Sequence, residues 1–438
     1  MDNRIPGPGF FTFIKNVRAN PVMYCYDLMK RYGDVVRCRS LQDIYLINNP
    51  VLAKEVFLNS HKSFDKNNFI NNRLKEVMGD GVVLSTGDRW KRQRKTSQII
   101  FSKNELQKLI PVILKCVDDV IPEWEHFALN NKSFNVHEET RKIVMKILSA
   151  CLFNLEDQQI LSDLKKYFFI GNRYASNPTP FNLPGWLPKS QKSGLKYAEN
   201  GIDTIMNTLI EERRQTDKHE GKLLAYIMDQ QHEHNNPIND DEILTEAKNI
   251  FVAGYFSTSD VLSWLIFSVA QNDKWFEAIK SECRIFENTS NPDALESAGD
   301  MQMFIHEVLR CYPPVWASSH HTISDFQLGD YLIPKNKTIM VSIFNLHHHP
   351  DFWVDPEKFD PHRFQSGPAF QEKATFIPFG MGPRKCMGMG LARMIINIVL
   401  AKIVTNFRLT VNTKIIPKIQ SRITLGAKTE LEIFLKRS

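Results

Sequence analysis

One cysteine near the C-terminal end of the chain stands in a setting that suits a metal-bound thiolate. Cys386 follows a loop with glycines at positions 380 and 382, and an apolar stretch that we expect to be helical begins near Met387. Glycine permits tight backbone bends, and the positive end of a helix favours a thiolate. Arg384 can offer its forked donors to a carboxylate, and Gly388 leaves space where a macrocycle could pack. A lone cysteine is more often a small buried hydrophobic residue, so this setting by itself leaves both interpretations open.

The elements that must position this loop are mainly helical. The pattern predicts a helix over 21–32, strands near 34–39 and 44–48, almost continuous helix from 88 to 290, a helix near 298–311, and a terminal strand pair within 422–436. Loops are predicted at 177–180, 183–185 and 234–237. We therefore expect one domain over residues 1–438, with a helix-rich core and a small β region formed from the N-terminal segment, residues 312–346 and the C-terminal segment.

Composition excludes several classes of protein. Apolar residues make up 42% of the 438 residues and charged residues 24%, a balance that supports a large core and argues against disorder. The net charge of +6 is spread without an aromatic-interleaved basic stripe, so we expect no nucleic-acid partner. Seven cysteines without paired short spacing indicate neither a zinc site nor disulfides. We find neither a basic leader followed by an apolar segment nor an apolar run long enough to span a bilayer, and we expect a cytoplasmic monomer with no membrane anchor.

The segment from Phe379 to Gly388 fits the pattern F-x-x-G-x-R-x-C-x-G at every fixed position. This pattern resembles the haem-binding signature of the cytochrome P450 family, and the chain is similar to its soluble bacterial members. The resemblance implies a mainly α cytochrome P450 fold and haem b ligated by the Cys386 thiolate. It also implies cofactor contacts from the loop, namely Phe379, Gly380, Arg384 and Gly388.

Two further segments resemble cofactor-contacting elements of this family. Trp90 and Arg94 form a W-x-x-x-R element, which implies contacts with the haem propionates. An ordinary helix that packs its tryptophan and exposes its arginine is the alternative. His321 stands where family members place an arginine or histidine toward a propionate.

Glu307 and Arg310 are three residues apart, a spacing that places them on one helical face. Such pairs are common on helix surfaces, but this one is followed by Arg363 in a P-x-R-F element and then by the cysteine loop. That order resembles the family, and it implies that the three residues form a structural triad steadying the proximal side of the haem. The triplet at 347–349 is expected to be a surface or loop cluster of histidines rather than a metal site.

The segment Ala253 to Thr258 resembles the oxygen-binding helix of the family, whose usual pattern is A/G-G-x-D/E-T-T/S. Ala253 and Gly254 match, and a glycine within a helix suits a ligand that approaches the backbone closely. The resemblance makes Ala253, Gly254, Ser257 and Thr258 the candidate catalytic residues. Phe256 occupies the usual acid position and Ser257 that of the first threonine, so the route of protons is open.

The resemblance implies a monooxygenase that activates dioxygen to hydroxylate or otherwise oxidise a lipophilic small molecule, such as a fatty acid, terpenoid or polyketide-like compound. A separate electron-transfer protein, a ferredoxin or flavodoxin with its reductase, is the expected partner. Five cations are candidate contacts for an acidic donor: Arg89, Lys91, Arg92, Lys95 and Lys385. The candidate substrate contacts are Phe69, Asn249, Phe256, Val315, Trp316 and Leu425.

The altered oxygen helix leaves other outcomes open. Asp260, one turn after Phe256, either compensates for the missing acid or is solvated. The alternatives are poorly coupled or peroxide-driven oxidation, desaturation, cyclisation, isomerisation, or a haem-binding sensor without turnover.

Overall fold

The structure is a computed structural model, and it describes residues 5–176, 191–215, 223–229, 238–289, 295–365, 374–412 and 416–437. The predicted loops at 177–180, 183–185 and 234–237 all lie outside these ranges. Helices predominate and strands are short, which confirms the predicted fold class.

Sixteen helices lie in the described ranges. They are α1 (Phe10–Val17), α2 (Pro21–Tyr32), α3 (Pro50–Leu58), α4 (Phe69–Met78), α5 (Gly87–Ile100), α6 (Lys103–Asp118), α7 (Ile121–Leu129), α8 (Val136–Phe153), α9 (Gln158–Ala175), α10 (Gln191–Arg214), α11 (Leu223–Asp229), α12 (Asp240–Ala270), α13 (Asp273–Thr289), α14 (Gly299–Cys311), α15 (Ile343–His347) and α16 (Met389–Asn406). Short 3-10 turns cover Pro361–Phe364 and Gly382–Arg384.

The strands are short and belong to small sheets. They are β1 (Val35–Cys38), β2 (Ile44–Ile47), β3 (Phe64–Asp65), β4 (Ser133–Asn135), β5 (Ala317–Thr322), β6 (Phe326–Leu328), β7 (Tyr331–Ile333), β8 (Thr338–Ser342), β9 (Phe407–Thr410), β10 (Ile419–Ser421), β11 (Leu425–Ala427) and β12 (Glu432–Arg437). The predicted pairing of the last two strands is wrong, because β11 pairs with β10 while β12 lies between β4 and β9.

The chain divides into two compact units, each built from separate stretches of sequence. Unit 1 contains 1–74, 305–386 and 419–426, and unit 2 contains 75–304, 387–418 and 427–438. The small β region predicted from three stretches corresponds broadly to unit 1, whereas the prediction of a single domain stays a prediction.

Unit 1 is organised around a five-stranded sheet in the order β1-β2-β8-β5-β3. Neighbouring strands are antiparallel except for β2 and β8, which are parallel. One face of this sheet packs on α3 in a cluster that includes Tyr45, Val56 and Ile339, all fully buried. Burial of large aliphatic and aromatic side chains here contributes the main stabilisation of the unit.

Unit 2 is organised around α12, which packs along α8. Asn239 caps the helix by accepting a hydrogen bond from the Glu242 backbone N–H, and three acids in the first turn favour the positive end of the helix dipole. Beyond that turn most residues of α12 are buried, which is typical of a helix in the middle of a core. Unit 2 also contains a three-stranded sheet in the order β4-β12-β9.

Two helices in the described part of the chain, Asp240–Ala270 and Met389–Asn406, satisfy the length and hydropathy expected of a membrane span. The structure buries 83% and 56% of their most apolar windows. Core helices satisfy the same two criteria, so this is weak evidence for a membrane span.

Candidate functional site

The cysteine loop of unit 1 adopts backbone angles that glycine alone adopts readily. Gly380 and Gly382 have φ angles of +67° and +68°, and a Cβ at Gly382 would lie 2.8 Å from the Phe57 carbonyl oxygen. The Cys386 backbone N–H donates to the Phe379 carbonyl at 2.9 Å and closes the loop. The loop therefore holds the cysteine in a fixed backbone position.

Exposure distinguishes Cys386 from the other six cysteines. Cys386 is exposed, whereas the rest are buried. Burial raises the pKa of Cys25 and Cys311 to about 12 and that of Cys116 to about 11. The thiol of Cys386 is thus accessible to a ligand, whereas a thiolate is disfavoured at these three buried positions.

Three basic side chains of unit 1 lie close together. β3 pairs with β5 so that Asp65 is opposite His321, and the next residue, Lys66, therefore comes beside His320. Burial, and then the nearby charge of Arg384, lowers the pKa of Lys66 to about 7. The Lys66 ammonium donates to the Ser319 carbonyl at 2.8 Å.

His320 is the third member of this basic cluster. It is 1% exposed, and its pKa is well below the ordinary value because of burial and then the charges of Lys66 and Arg384. Its Nε2 contacts the Ser318 hydroxyl at 3.1 Å, but its buried Nδ1 has no hydrogen-bond partner among the described residues. An orphaned ring nitrogen and two cations fit the carboxylates of a haem.

The structure places His320 rather than the predicted His321 in this cluster. Side chains alternate along β5, so the two neighbours point to opposite faces of the sheet. The His321 ring contacts the Gln42 amide at 3.1 Å instead. This arrangement favours His320 over His321 as the propionate contact, which stays a prediction, and strand alternation is the signal that could have indicated it.

The three residues of the predicted structural triad lie close together, and two of them are fully buried. Arg310 and Glu307, both 0% exposed, form a bidentate ion pair at 2.7 and 2.8 Å. Arg363 Nε lies 3.5 Å from the Glu307 carboxylate, which also accepts the Asp360 backbone N–H at 2.7 Å. The pair is therefore not an ordinary surface ion pair, and it ties α14 to the segment that precedes the cysteine loop.

The histidine triplet is buried, so its predicted surface location is wrong. Residues 347–349 are 0%, 6% and 5% exposed. His347 accepts a hydrogen bond from the Ile377 backbone N–H at 2.9 Å, and burial lowers the pKa of His347 to about 3. Arg310 also donates to the His347 carbonyl at 2.9 Å. His347 therefore links the triad to the start of the cysteine loop.

Helix α5 of unit 2 carries the predicted tryptophan and arginine. Trp90 is 7% exposed and Arg94 lies one turn later on the same face. Their contacts with a haem stay a prediction. Arg89 and Arg92 on this helix lie 3.8 and 2.7 Å from the Glu242 carboxylate of α12, so these two cations are engaged within the unit.

The oxygen-helix segment lies in the middle of α12. The Ser257 hydroxyl donates to the Ala253 carbonyl at 2.7 Å, and Thr258 is 2% exposed. The ring of Phe256 lies 5.0 Å from that of Tyr255 and 6.3 Å from that of Phe168. Position 256 thus contributes to an aromatic cluster with α9.

Gly254 faces helix α8. A Cβ built on it would lie 3.4 Å from the nearest Leu148 methyl, an ordinary van der Waals distance. The packing around Gly254 in unit 2 would therefore accept an alanine.

Asp260 is buried, so the solvated alternative is wrong. Its side chain is 4% exposed and lies 3.8 Å from the Arg141 guanidinium of α8. A buried carboxylate is retained only with compensating charge or hydrogen bonds, and Arg141 supplies charge here.

Asn249 and Glu246 hold the backbone of the loop between α4 and α5. Asn249 accepts the Val83 N–H at 3.1 Å, and Glu246 accepts the Val82 N–H at 3.1 Å. Burial raises the pKa of Glu246 to about 8 despite this hydrogen bond. Asn249 thus has a structural role in addition to its predicted one, and Glu246 was missed because its partner is 164 residues away.

The other predicted substrate contacts divide between core and surface. Leu425 is fully buried in a cluster with Val22 and Phe344, which gives it a packing role, and its contact with substrate stays a prediction. Trp316 packs against the same cluster. Phe69 and Val315 are 47% and 44% exposed.

Comparison with known proteins gives one consistent family. The model of the family described as Cytochrome P450 matches residues 4–435. The chain is 26% identical to Cytochrome P450 4F3 of Mus musculus, covering 90% of this chain and 81% of that protein. It is 29% identical to Cytochrome P450 734A1 of Arabidopsis thaliana (82% and 72% coverage) and 24% identical to a Cytokinin hydroxylase of the same plant (77% and 68% coverage).

A solved structure shares the fold. The structure described as retinoic acid bound cyanobacterial CYP120A1 superposes with a TM-score of 0.82 at 20% identity, covering 94% of this chain and 93% of that one. Members of the matched family bind haem through a cysteine thiolate, as the sequence predicts. The chain belongs to the cytochrome P450 family, the haem-thiolate monooxygenases.

Proposed function

We propose that this protein ligates the iron of haem b through Cys386 and oxidises a lipophilic small molecule with dioxygen. The exposure of Cys386, while the six other cysteines are buried, is the observation that supports the choice of ligand. The haem supplies the dioxygen-activating chemistry when it is bound. The protein's own contribution is to present one thiolate on a rigid loop and to place cations where the haem carboxylates require them.

The basic cluster of Lys66, His320 and Arg384 supports the second part of this proposal. The charges of Lys66 and Arg384 repel further cations and favour a dianionic group, and the neutral His320 imidazole offers that group a hydrogen bond. We assign the cluster to the haem propionates. Trp90 and Arg94 are further candidates on α5.

A change of the cysteine tests the ligand. In the carbon-monoxide-bound ferrous protein, we expect the red-displaced Soret band of thiolate ligation, and we expect Cys386→His to lose it. Cys116→Ala is the matched control, because it removes a thiol that is 2% exposed in α6. A retained band in Cys386→His would refute the assignment.

The lipophilic substrate class is supported by the residues exposed near the predicted recognition positions. Phe69 and Val315 present large apolar surfaces, and α12 carries no charged side chain between Lys248 and Asp260. Relatives include a protein named for cytokinin hydroxylation and a structure bound to retinoic acid, an apolar carboxylate. Fatty acids, terpenoids and polyketide-like compounds are therefore the first panel to screen, with labelled dioxygen in the product as the readout.

The altered oxygen helix favours a second outcome, peroxide-driven oxidation. The Ser257 hydroxyl is already donated to the Ala253 carbonyl, and α12 carries no acid between Lys248 and Asp260. Hydrogen peroxide is dioxygen that already carries two electrons and two protons. Its use would therefore not require protons to be delivered along α12. Turnover that is faster with peroxide than with a reduced donor would support this outcome, and the opposite order would reject it.

The electron donor is proposed to be a separate acidic protein, a ferredoxin or flavodoxin, in the cytoplasm. Lys91 and Lys95 are exposed one turn apart on α5, whereas Arg89 and Arg92 are engaged by Glu242. Complementary charge raises the association rate of such partners at low salt. We expect Lys91→Glu with Lys95→Glu to slow reduction by the donor and to weaken its dependence on ionic strength. An unchanged dependence would remove this surface from consideration.

A further inference from the structure

A cavity lies against one side of α12, within unit 2 and between α8, α9 and α12. Its volume is about 320 Å³, in the range of pockets that hold small ligands. The lining combines aromatic and cationic side chains, chiefly Arg141, Lys165, Lys166, Phe169, Tyr255 and Phe256.

The cavity lies on a different side of α12 from the predicted catalytic residues. Ala253 and Ser257 are one turn apart and share a face, while Tyr255 is about 200° away from Ala253 around the helix axis. A molecule in this cavity would therefore contact α12 from behind the oxygen-helix face, and the cavity is a separate place for binding.

The cations of the cavity are only partly compensated. Arg141 lies 3.8 Å from Asp260, and no hydrogen bond from its guanidinium is formed with the described residues, although its Nε is buried. Lys165 lies 3.5 Å from Glu138, which is 62% exposed, and Lys166 contacts the Tyr197 hydroxyl at 3.2 Å. A third carboxylate, Asp163, lies near Lys166, so the cation left without a hydrogen-bonding partner among the described residues is the Arg141 guanidinium.

The remaining lining residues favour an apolar body. The ring of Phe169 is 57% exposed at the cavity, while Tyr255 and Phe256 are almost fully buried and form its inner wall. A ligand with an apolar chain and one carboxylate suits this lining. The chain would cover the exposed Phe169 ring, and the carboxylate would accept hydrogen bonds from the Arg141 guanidinium.

We propose that this cavity is a second ligand site, which binds an apolar monocarboxylate of the fatty-acid class. The carboxylate accepts hydrogen bonds from Arg141, with Lys165 and Lys166 adding charge at the rim. The chain lies on Phe169 and reaches the Tyr255 and Phe256 rings. Because the lining residues of α12 lie on a different side from Ala253 and Ser257, occupation of this site does not require the proposed oxidation.

Decanoate is the probe, and calorimetry and the Soret spectrum of the intact haem protein are the two readouts. We expect a binding event that leaves the Soret band unchanged and is at least about tenfold weaker in Arg141→Met, the loss expected for one charge-assisted hydrogen bond. Lys146→Met is the control, because it removes another ion-paired cation from α8 at a distance from the cavity lining.

Phe169→Glu tests the site without disturbing a buried pair, since Phe169 is exposed. It should weaken the same event by tenfold or more, whereas Leu129→Glu, at a 76% exposed position of α7, should not. Decyltrimethylammonium, with the opposite charge, should not bind. The proposal is overturned if no such event occurs, if the cation binds as well as decanoate, or if decanoate affinity is the same in Phe169→Glu and Leu129→Glu. The proposal is also overturned if the only binding event of decanoate shifts the Soret band, because decanoate then binds at the haem.

Discussion

Replacement of Lys66 by methionine tests whether its buried ammonium group holds a haem carboxylate. Burial lowers the pKa of Lys66, and the charge of Arg384 lowers it further. The shift from 10.5 to about 7 corresponds to a free energy of about 5 kcal/mol that disfavours the charged form. A carboxylate beside Lys66 offsets part of that cost. A hydrogen bond to a charged group is worth about 1.5–3 kcal/mol, so we expect Lys66→Met to accelerate haem loss by about 10- to 150-fold.

The pH dependence of haem retention has a definite sign. Because the pKa of Lys66 is depressed without a carboxylate, the cost to stability is full below about pH 7 and disappears as the pH rises toward 10.5. A bound carboxylate raises this pKa, so haem binding takes up a proton above about pH 7. Haem affinity should therefore fall as the pH rises above 7 in the parent protein, and this part of the dependence should be absent in Lys66→Met.

Transfer of haem to an excess of an acceptor haem protein measures these rates. The assay is run at about pH 6.5 and about pH 8.5, on either side of the depressed pKa. Lys62→Met is the matched control, since Lys62 is exposed four residues earlier. Equal rates in Lys66→Met, Lys62→Met and the parent protein at both pH values would refute the role of Lys66.

Three other changes follow from the geometry. Phe256→Glu should leave the product formed per reducing equivalent unchanged, because position 256 faces the cavity that Arg141 lines and the new carboxylate would pair there. Arg310→Met should lower the free energy of unfolding in urea by about 3–5 kcal/mol, because it leaves the Glu307 carboxylate buried without its bidentate partner. Gly254→Ala should raise the free energy of unfolding by about 1 kcal/mol through helix propensity, since the added methyl meets no obstacle.

Each of these has an outcome that contradicts it. Better coupling in Phe256→Glu would mean that an acid at this position does supply protons. Lys30→Met removes an exposed pair with Glu357 and should lower the free energy of unfolding by no more than about 1 kcal/mol. An equally small decrease in Arg310→Met would contradict a special role for the buried pair. A lower free energy of unfolding in Gly254→Ala would show that α8 and α12 pack too tightly for a side chain.

The sequence by itself determined the features that depend on neighbours along the chain. The cysteine loop was recognisable because its glycines and Cys386 lie within ten residues, and Glu307 and Arg310 because three residues make one helical turn. The boundaries of α14 and of the first two strands were also predicted closely. Local backbone preferences and helical periodicity act over a few residues, so they are written directly in the order of residue types.

Tertiary structure decided which of these residues meet partners far along the chain. Lys66 reaches Ser319 across 253 residues, and the register of β3 on β5, not any local motif, brings it beside His320. Burial of Asp260 beside Arg141 likewise depends on how α8 packs along α12. Such contacts and the pKa shifts that follow from them arise from burial and strand register, which are properties of the packed fold, so they were beyond what residue spacing could determine.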